Sequence, residues 1–190
     1  EGYVEQRDDH TGFVSITNND REVLDDAATA LEQLGLNTTE RDPHESKDAR
    51  ELLCSAGEFV SFLDTVAQQC LQSSDNQCVP DPIFRTPESI RSEFLKAFIE
   101  GEGHVSESQR EITVASMSRE LLENVRALLL SLGIRSQLHD RQNGSYRLRI
   151  SGGEFEKYVS DIGFVTQRKQ QAALQYADTD GNTNLDVVPN

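Results

Sequence analysis

The chain has 190 residues, 36% of them hydrophobic and 27% charged, which is enough for one large buried core or two small ones. No apolar run approaches the roughly 20 residues of a membrane-spanning helix, and the polar, charged start gives no reason to expect a secretory leader. The formal net charge is −15, the wrong sign for a surface that binds phosphates without discrimination, but it is unevenly spread: residues 1–90 hold 19 acids against 6 bases, and residues 91–190 hold 14 against 12.

That imbalance has two readings: an acidic surface suited to a salt-loaded cytoplasm, where screening is severe, or a first half that has lost a nucleic-acid surface. Cys54, Cys70 and Cys78 are odd in number and lack a CxxC spacing, so free thiols in a reducing, cytoplasmic compartment are expected. The chain begins without Met and without a helix ahead of Glu1, and it reads as a segment of a longer polypeptide.

In chain order, Tyr3 to Arg7 and Phe13 to Thr17 read as two strands around a turn at Asp8–Gly12. Asn18, Asn19 and Asp20 supply cap chemistry for a helix whose Val23, Leu24, Ala27, Leu31 and Leu34 share a face, and Gly35 stops it. Two weaker strands follow, around Leu36–Arg41 and Ala49–Cys54. Gly57 then opens a short helix with apolar Phe59, Val60, Leu63 and Val66. Residues 72–89 are rich in Ser, Asp, Asn and Pro and read as linker.

A helix starting near Pro87–Glu88 carries Ile90, Phe94, Leu95, Phe98 and Ile99 at helical spacing. Ala97 and Gly101, small and four apart, would let a second helix come close. The chain leaves this helix through Gly101, Glu102 and Gly103, glycine being free to take dihedrals that other residues resist. Val105–Ser108 and Ile112–Ser116 form a hairpin. Ser118 caps a helix with Leu121, Leu122, Val125, Leu128, Leu129 and Leu132 inward. Ile134–His139 and Ser145–Ile150 pair around Asn143–Gly144, a strong turn signal. Alternation puts Tyr146, Leu148 and Ile150 on the core face and Ser145, Arg147 and Arg149 on the other. Gly153 leads into a helix with Phe155, Tyr158 and Val159 buried, Ile162–Leu174 adds a last turn or two, and the polar tail is extended.

The elements repeat. EGYV at Glu1–Val4 recurs as EGHV at Glu102–Val105, Phe13–Leu36 parallels Ile112–Ile134, and Cys54–Asp64 parallels Ile150–Asp161. A period of about a hundred residues means two domain-sized copies, not a solenoid. The expected division is a first repeat at 1–71, a linker at 72–87, a second repeat at 88–176 and a tail at 177–190.

These paired blocks, with LKAFIEGEG at Leu95–Gly103 and Glu1–Gly2 as the last two residues of the motif's first copy, resemble the LAGLIDADG or dodecapeptide homing endonucleases, most of all those carried in inteins. The resemblance implies an α+β fold of two pseudo-symmetric αββαββα repeats, the first lacking its leading helix here. Their curved antiparallel sheets would form a DNA-binding saddle with helices on the other face. It implies site-specific, Mg²⁺-dependent cleavage of double-stranded DNA by a monomeric pseudo-dimer, with splicing domain and host protein in cis, towards which the tail would lead. Carried over by position, the metal residues are Glu1 and Glu102 with Gly101 beside them, and the catalytic set is Glu1, Glu102 and Lys169. A basic residue expected ahead of Val79–Pro80 is replaced by Gln77. The DNA-binding candidates are Arg110, Arg135, Arg141, Arg147, Arg149, Arg7 and His104, while Glu51 and Leu53 stand where the second repeat has Arg147 and Arg149. The alternatives are a DNA-binding module that no longer cuts and, with less behind it, an RNA-splicing maturase.

Overall fold

The computed structural model describes residues 2–6, 11–42, 49–68, 74–106 and 109–177. Glu1, Arg7 and the tail beyond Ala177 lie outside the described residues. The chain divides into two compact units, Glu1–Leu71 and Gln72–Asn190.

The first unit runs β1 (Gly2–Gln6), β2 (Gly12–Asn18), α1 (Arg21–Gln33), β3 (Thr39–Arg41), β4 (Arg50–Ser55) and α2 (Gly57–Val66). The strands form one antiparallel sheet in the order β1-β2-β4-β3. Strand alternation sends Val14, Ile16, Leu52 and Cys54 to one face, where they meet Leu24 and Leu31 of α1 and Phe59 of α2. The Asp20 carboxylate caps α1 by accepting the Glu22 amide at 3.2 Å. Leu34 does not join the buried face as its spacing predicts. It sits at the C-cap, where the backbone leaves the helix, and is 65% exposed.

The second unit begins inside the expected linker. The Val79 side chain is 1% exposed, its amide donates to Asn124 Oδ1 at 3.1 Å, and the Gln77 carbonyl accepts the Ser118 hydroxyl at 2.6 Å. Residues 77–85, with a 3₁₀ turn at Asp81–Arg85, therefore pack on this unit. The Pro-rich composition that reads as linker here stiffens a segment laid against a helix.

Next come α3 (Glu88–Glu102), β5 (Gly103–Val105), β6 (Glu111–Ser116), α4 (Arg119–Ser131), β7 (Gln137–Asp140), β8 (Tyr146–Ser151), α5 (Gly153–Asp161) and α6 (Gln167–Ala177). The sheet order is β5-β6-β8-β7, the first unit's order repeated. Ile112, Val114, Leu148 and Ile150 form its core face, packed with Leu95 and Ile99 of α3, Leu122 and Val125 of α4, and Phe155 and Tyr158 of α5. The Ser118 hydroxyl accepts the Leu121 amide and caps α4. The Asn143–Gly144 turn closes as its chemistry demands: Gly144 has φ 81, and the Ser145 amide and hydroxyl both donate to Asn143 Oδ1. The last helix is longer than expected, with 11 residues.

Each unit is thus α+β, a four-stranded antiparallel sheet with helices on one face. The ladders superpose residue by residue: Gly2 pairs with Ile16 as Gly103 pairs with Val114, and Ile16 with Leu52 as Val114 with Leu148. Tyr3 therefore stands at the position of His104, Glu51 at that of Arg147 and Leu53 at that of Arg149.

Gly103 differs from its expected role. Its φ of −89° and ψ of 141° are extended values that any residue adopts. It is glycine because a Cβ there would lie 2.4 Å from the Ile99 carbonyl oxygen and 2.6 Å from Ile99 Cγ2. Gly103→Ala is expected to lower the unfolding free energy by about 1–3 kcal/mol through forced repacking. Denaturant unfolding measures it, and an unchanged midpoint would contradict the close approach.

Candidate metal and nucleic-acid site

The helix α3 carries two acids in its last turn with opposite fates. Glu100 is 6% exposed. Its Oε2 accepts the amides of Val165 at 3.0 Å and Thr166 at 3.2 Å, and its Oε1 accepts the Thr166 hydroxyl at 3.0 Å. The Lys169 ammonium lies 3.6 Å from the same carboxylate. Lys169 Nζ also donates to the Glu100 carbonyl and, at 3.0 Å, to the Gly103 carbonyl. The Thr166 hydroxyl in turn accepts the Lys169 amide at 3.3 Å, as an N-cap does.

The two helix ends cap each other. A carboxylate from the last turn of α3 takes up amides at the start of α6, where the helix dipole favours negative charge. An ammonium from the first turn of α6 takes up carbonyls at the end of α3, where it favours positive charge.

Glu102 follows two residues later, roughly 200° around the helix. It is exposed and, among the described residues, its carboxylate has no hydrogen bond or ion pair. Lys169 Nζ bridges the carbonyls on either side of the Gly101–Glu102 pair, so the structure brings Lys169 to the segment that carries Glu102. The Glu102 carboxylate offers hard oxygen donors of the kind that Mg²⁺ or a similar divalent ion takes, while the Glu100 and Gly103 carbonyls beside it are occupied by Lys169. Among the described residues no cluster of three or more His, Cys, Asp or Glu could hold a metal. Glu1, the expected partner of Glu102, lies outside them.

On the open face of the second sheet, Gln109, Glu111, His139, Arg141, Arg147 and Arg149 line a shallow cleft of about 360 Å³. Arg149 Nε donates to Glu111 Oε2 at 2.5 Å. Arg147 Nε is buried without a hydrogen-bond partner, and among the described residues no acid pairs with this side chain. His104 is exposed on the same face, opposite Thr113, which in turn faces Arg149.

Arg110 and Arg135 are not brought to this cleft. Arg110 pairs with Glu156 at 2.5 Å and Arg135 with Glu154 at 2.7 Å, both acids belonging to α5 on the covered side of the sheet. Burial works to raise the Glu154 carboxyl, but the amide and guanidinium of Arg135 outweigh it and hold the group below the usual carboxylate range.

The open face of the first sheet has other chemistry. Ser15, Tyr3 and Leu53 form one cross-strand row, and Tyr3 meets Phe13 with ring centroids 6.0 Å apart. Arg41 is held by Glu51 through two bonds of 2.7 and 3.0 Å, and Ser15 also donates to Glu51.

Sequence reasoning missed the ties of Glu100 and Glu111. Glu111 was findable, since it alternates with Thr113 onto the face of Arg149. The partners of Glu100 are 65 residues away in sequence and left no local signal.

The family described as LAGLIDADG-like domain matches residues 1–67 and 89–163. Among curated proteins, the chain is similar to the DNA-directed RNA polymerase subunit Rpo1C of Methanocaldococcus jannaschii, 25% identical over 93% of this chain and 21% of that protein. It is also similar to a DNA polymerase of Thermococcus sp., 29% identical over 91% of this chain and 9% of that protein. The chain thus spans about a fifth of such relatives' length or less. Among solved structures, the fold is similar to I-DmoI in complex with DNA and Mn, with TM-score 0.62 and 18% identity over 85% of this chain and 88% of that one. It is similar also to full-length DUF199/WhiA from Thermatoga maritima, with TM-score 0.58 and 14% identity over 90% and 55%.

Glu100→Ala is expected to destabilise the second unit by about 3 kcal/mol, because it leaves the Val165 and Thr166 amides without their acceptor and removes the charge partner of the half-buried Lys169 ammonium. Hydrogen exchange should then speed up at Val165 and Thr166. Arg135→Ala, which removes an exposed guanidinium while Glu154 keeps the Arg135 amide, should cost under about 1 kcal/mol. Equal effects of the two changes would contradict the capping role.

Proposed function

The chain belongs to the LAGLIDADG-like family, and we propose that it is the site-specific endonuclease domain of an intein, hydrolysing phosphodiester bonds of double-stranded DNA with Mg²⁺. The observation that carries this reading is Glu102, an uncommitted carboxylate at a helix exit that Glu100 and Lys169 hold rigid.

The intein context is supported by the relatives. An RNA polymerase subunit, a translation initiation factor, a DNA polymerase and a replication factor C subunit do different work, yet each matches this chain over a small share of its length. An element inserted into unlike hosts accounts for that pattern. On this reading residues 1–71 and 88–176 are the two repeats, the chain acts as a monomeric pseudo-dimer, and the residues after 177 lead to the splicing domain or host. A motif helix equivalent to α3 would precede Glu1. The exposed stripe of Ile90, Ala97 and Gly101 on α3 suits such a helix, since nothing lies within 4 Å of where a Gly101 Cβ would be.

Glu102 and Glu1 would hold the divalent ion, with the Gly101 carbonyl alongside. The ion supplies an activated water and charge stabilisation at the phosphate. The chain's own part is positional: Glu100 and Thr166 hold Lys169 against the exit of α3, where its ammonium stays on the Glu100 and Gly103 carbonyls that flank Gly101 and Glu102 in sequence. Arg141, Arg147, Arg149 and His104 would meet the duplex on the second sheet, with Arg7 the candidate from the first repeat. Arg110 and Arg135, engaged by Glu156 and Glu154 of α5, stay outside that contact set. The acidity of residues 1–90 fits a salt-loaded cytoplasm.

A second reading, a module that binds DNA without cutting, is favoured by one observation: the first sheet neutralises its own Arg41 with Glu51. Gln77, where the resemblance expects a lysine, points the same way.

With the parent polypeptide, Mg²⁺ and a plasmid bearing the empty insertion site at high salt, specific cleavage is expected. Glu102→Gln should lower its rate by at least about a hundredfold and leave binding in Ca²⁺ intact. Binding with no cleavage by the unaltered protein would favour the second reading, and cleavage unchanged by Glu102→Gln would remove Glu102 from the metal site.

A further inference from the structure

The two open sheet faces share one register but not one chemistry. Across the second sheet, one row reads His104, Thr113, Arg149, Gln137, and the next reads Ala115, Arg147, His139. The matching rows of the first sheet read Tyr3, Ser15, Leu53, Thr39 and then Thr17, Glu51, Arg41. The two arginine positions on β8, Arg149 and Arg147, are a leucine and an acid on β4.

The second sheet holds two arginines in different states. Arg149 has its Nε committed to Glu111. Among the described residues Arg147 makes no such tie; its Nε is buried, and its two Nη groups are the parallel N–H pair that it can turn outward. That fork matches the O6 and N7 acceptors of guanine in the major groove.

The first sheet can make no such contact at the matching position. Glu51 is occupied by Arg41 and Ser15. Beside it, among threonines, stand apolar groups: Leu53, partly buried, and the Tyr3–Phe13 ring pair. Apolar groups on a groove-facing surface distinguish thymine by its C5 methyl.

We infer that the two units read different bases, the second a guanine through Arg147 and the first a thymine methyl through Leu53 and the neighbouring rings. The target is then unlike in its two halves at the positions that these residues face. This rests on the duplex-DNA reading above and adds base identities to it.

The test is selection from a randomised duplex library by the parent polypeptide in Ca²⁺, repeated with variants. The unaltered chain should enrich guanine at a position where Arg147→Ala and Arg147→Lys both reduce the preference by on the order of tenfold. Lysine keeps the charge but not the fork, so retained preference in Arg147→Lys would overturn the bidentate assignment. Leu53→Ala should relax a thymine preference at a different position, and Leu53→Arg should replace it with guanine. If Arg147→Ala weakens all sequences alike and flattens the salt dependence, Arg147 contacts phosphate and the inference fails. If the unaltered chain retains no duplex over single-stranded DNA, the duplex reading itself fails, a result distinct from both.

Discussion

Glu100 is an acid that the fold has removed from water. At 6% exposure it makes three hydrogen bonds and one ion pair with Val165, Thr166 and Lys169. A buried carboxylate without such partners would be costly, so the start of α6 has to be where it is for the end of α3 to fold. The reverse also holds, because Lys169 satisfies two carbonyls that the last turn of α3 leaves open. Removing one partner would strand the others, which makes the pair more consequential as a constraint than as a source of net stability. Its effect reaches Glu102, which needs no partner of its own in order to be well placed.

Duplication explains much of the rest. Core positions of the two sheets carry the same class of residue: Val14 and Ile16 correspond to Ile112 and Val114, and Leu52 and Cys54 to Leu148 and Ile150. Burial holds those choices. The open faces carry no such requirement, and there Glu51 answers Arg147 and Phe13 answers Glu111. One scaffold thus carries two open faces of different chemistry, and the charge imbalance along the chain is partly written on them. Among the described residues the cleft of the second sheet has three arginines for one glutamate. Its counterpart on the first sheet cancels its own charge.

Local chemistry was legible in the sequence wherever a residue acts on its neighbours. The caps at Asp20 and Ser118, the Asn143–Gly144 turn and the alternation of β8 follow from side-chain reach and strand period alone. Long-range ties were not legible. Arg110 and Arg135 have the composition of a nucleic-acid surface, and only the packing of α5 reveals that Glu156 and Glu154 engage them. Gly103 looked like a residue chosen for its dihedrals. Its real constraint is the distance to Ile99, which no spacing rule contains. Residues 77–85 looked like linker because proline and polar residues mark loops, but Val79 fills the core of the second unit.

The account turns on Glu102 being the side chain that meets a divalent ion, with Lys169 held on the carbonyls of Glu100 and Gly103 that flank it in sequence. Mn²⁺ soaked into crystals of the parent polypeptide with a DNA duplex, located by anomalous scattering, tests this most directly. The account predicts a peak within about 2.3 Å of the Glu102 carboxylate, at the reach of a metal–oxygen bond, with Lys169 still on the carbonyls of Glu100 and Gly103. A peak elsewhere, with Glu102 turned to solvent, would contradict it.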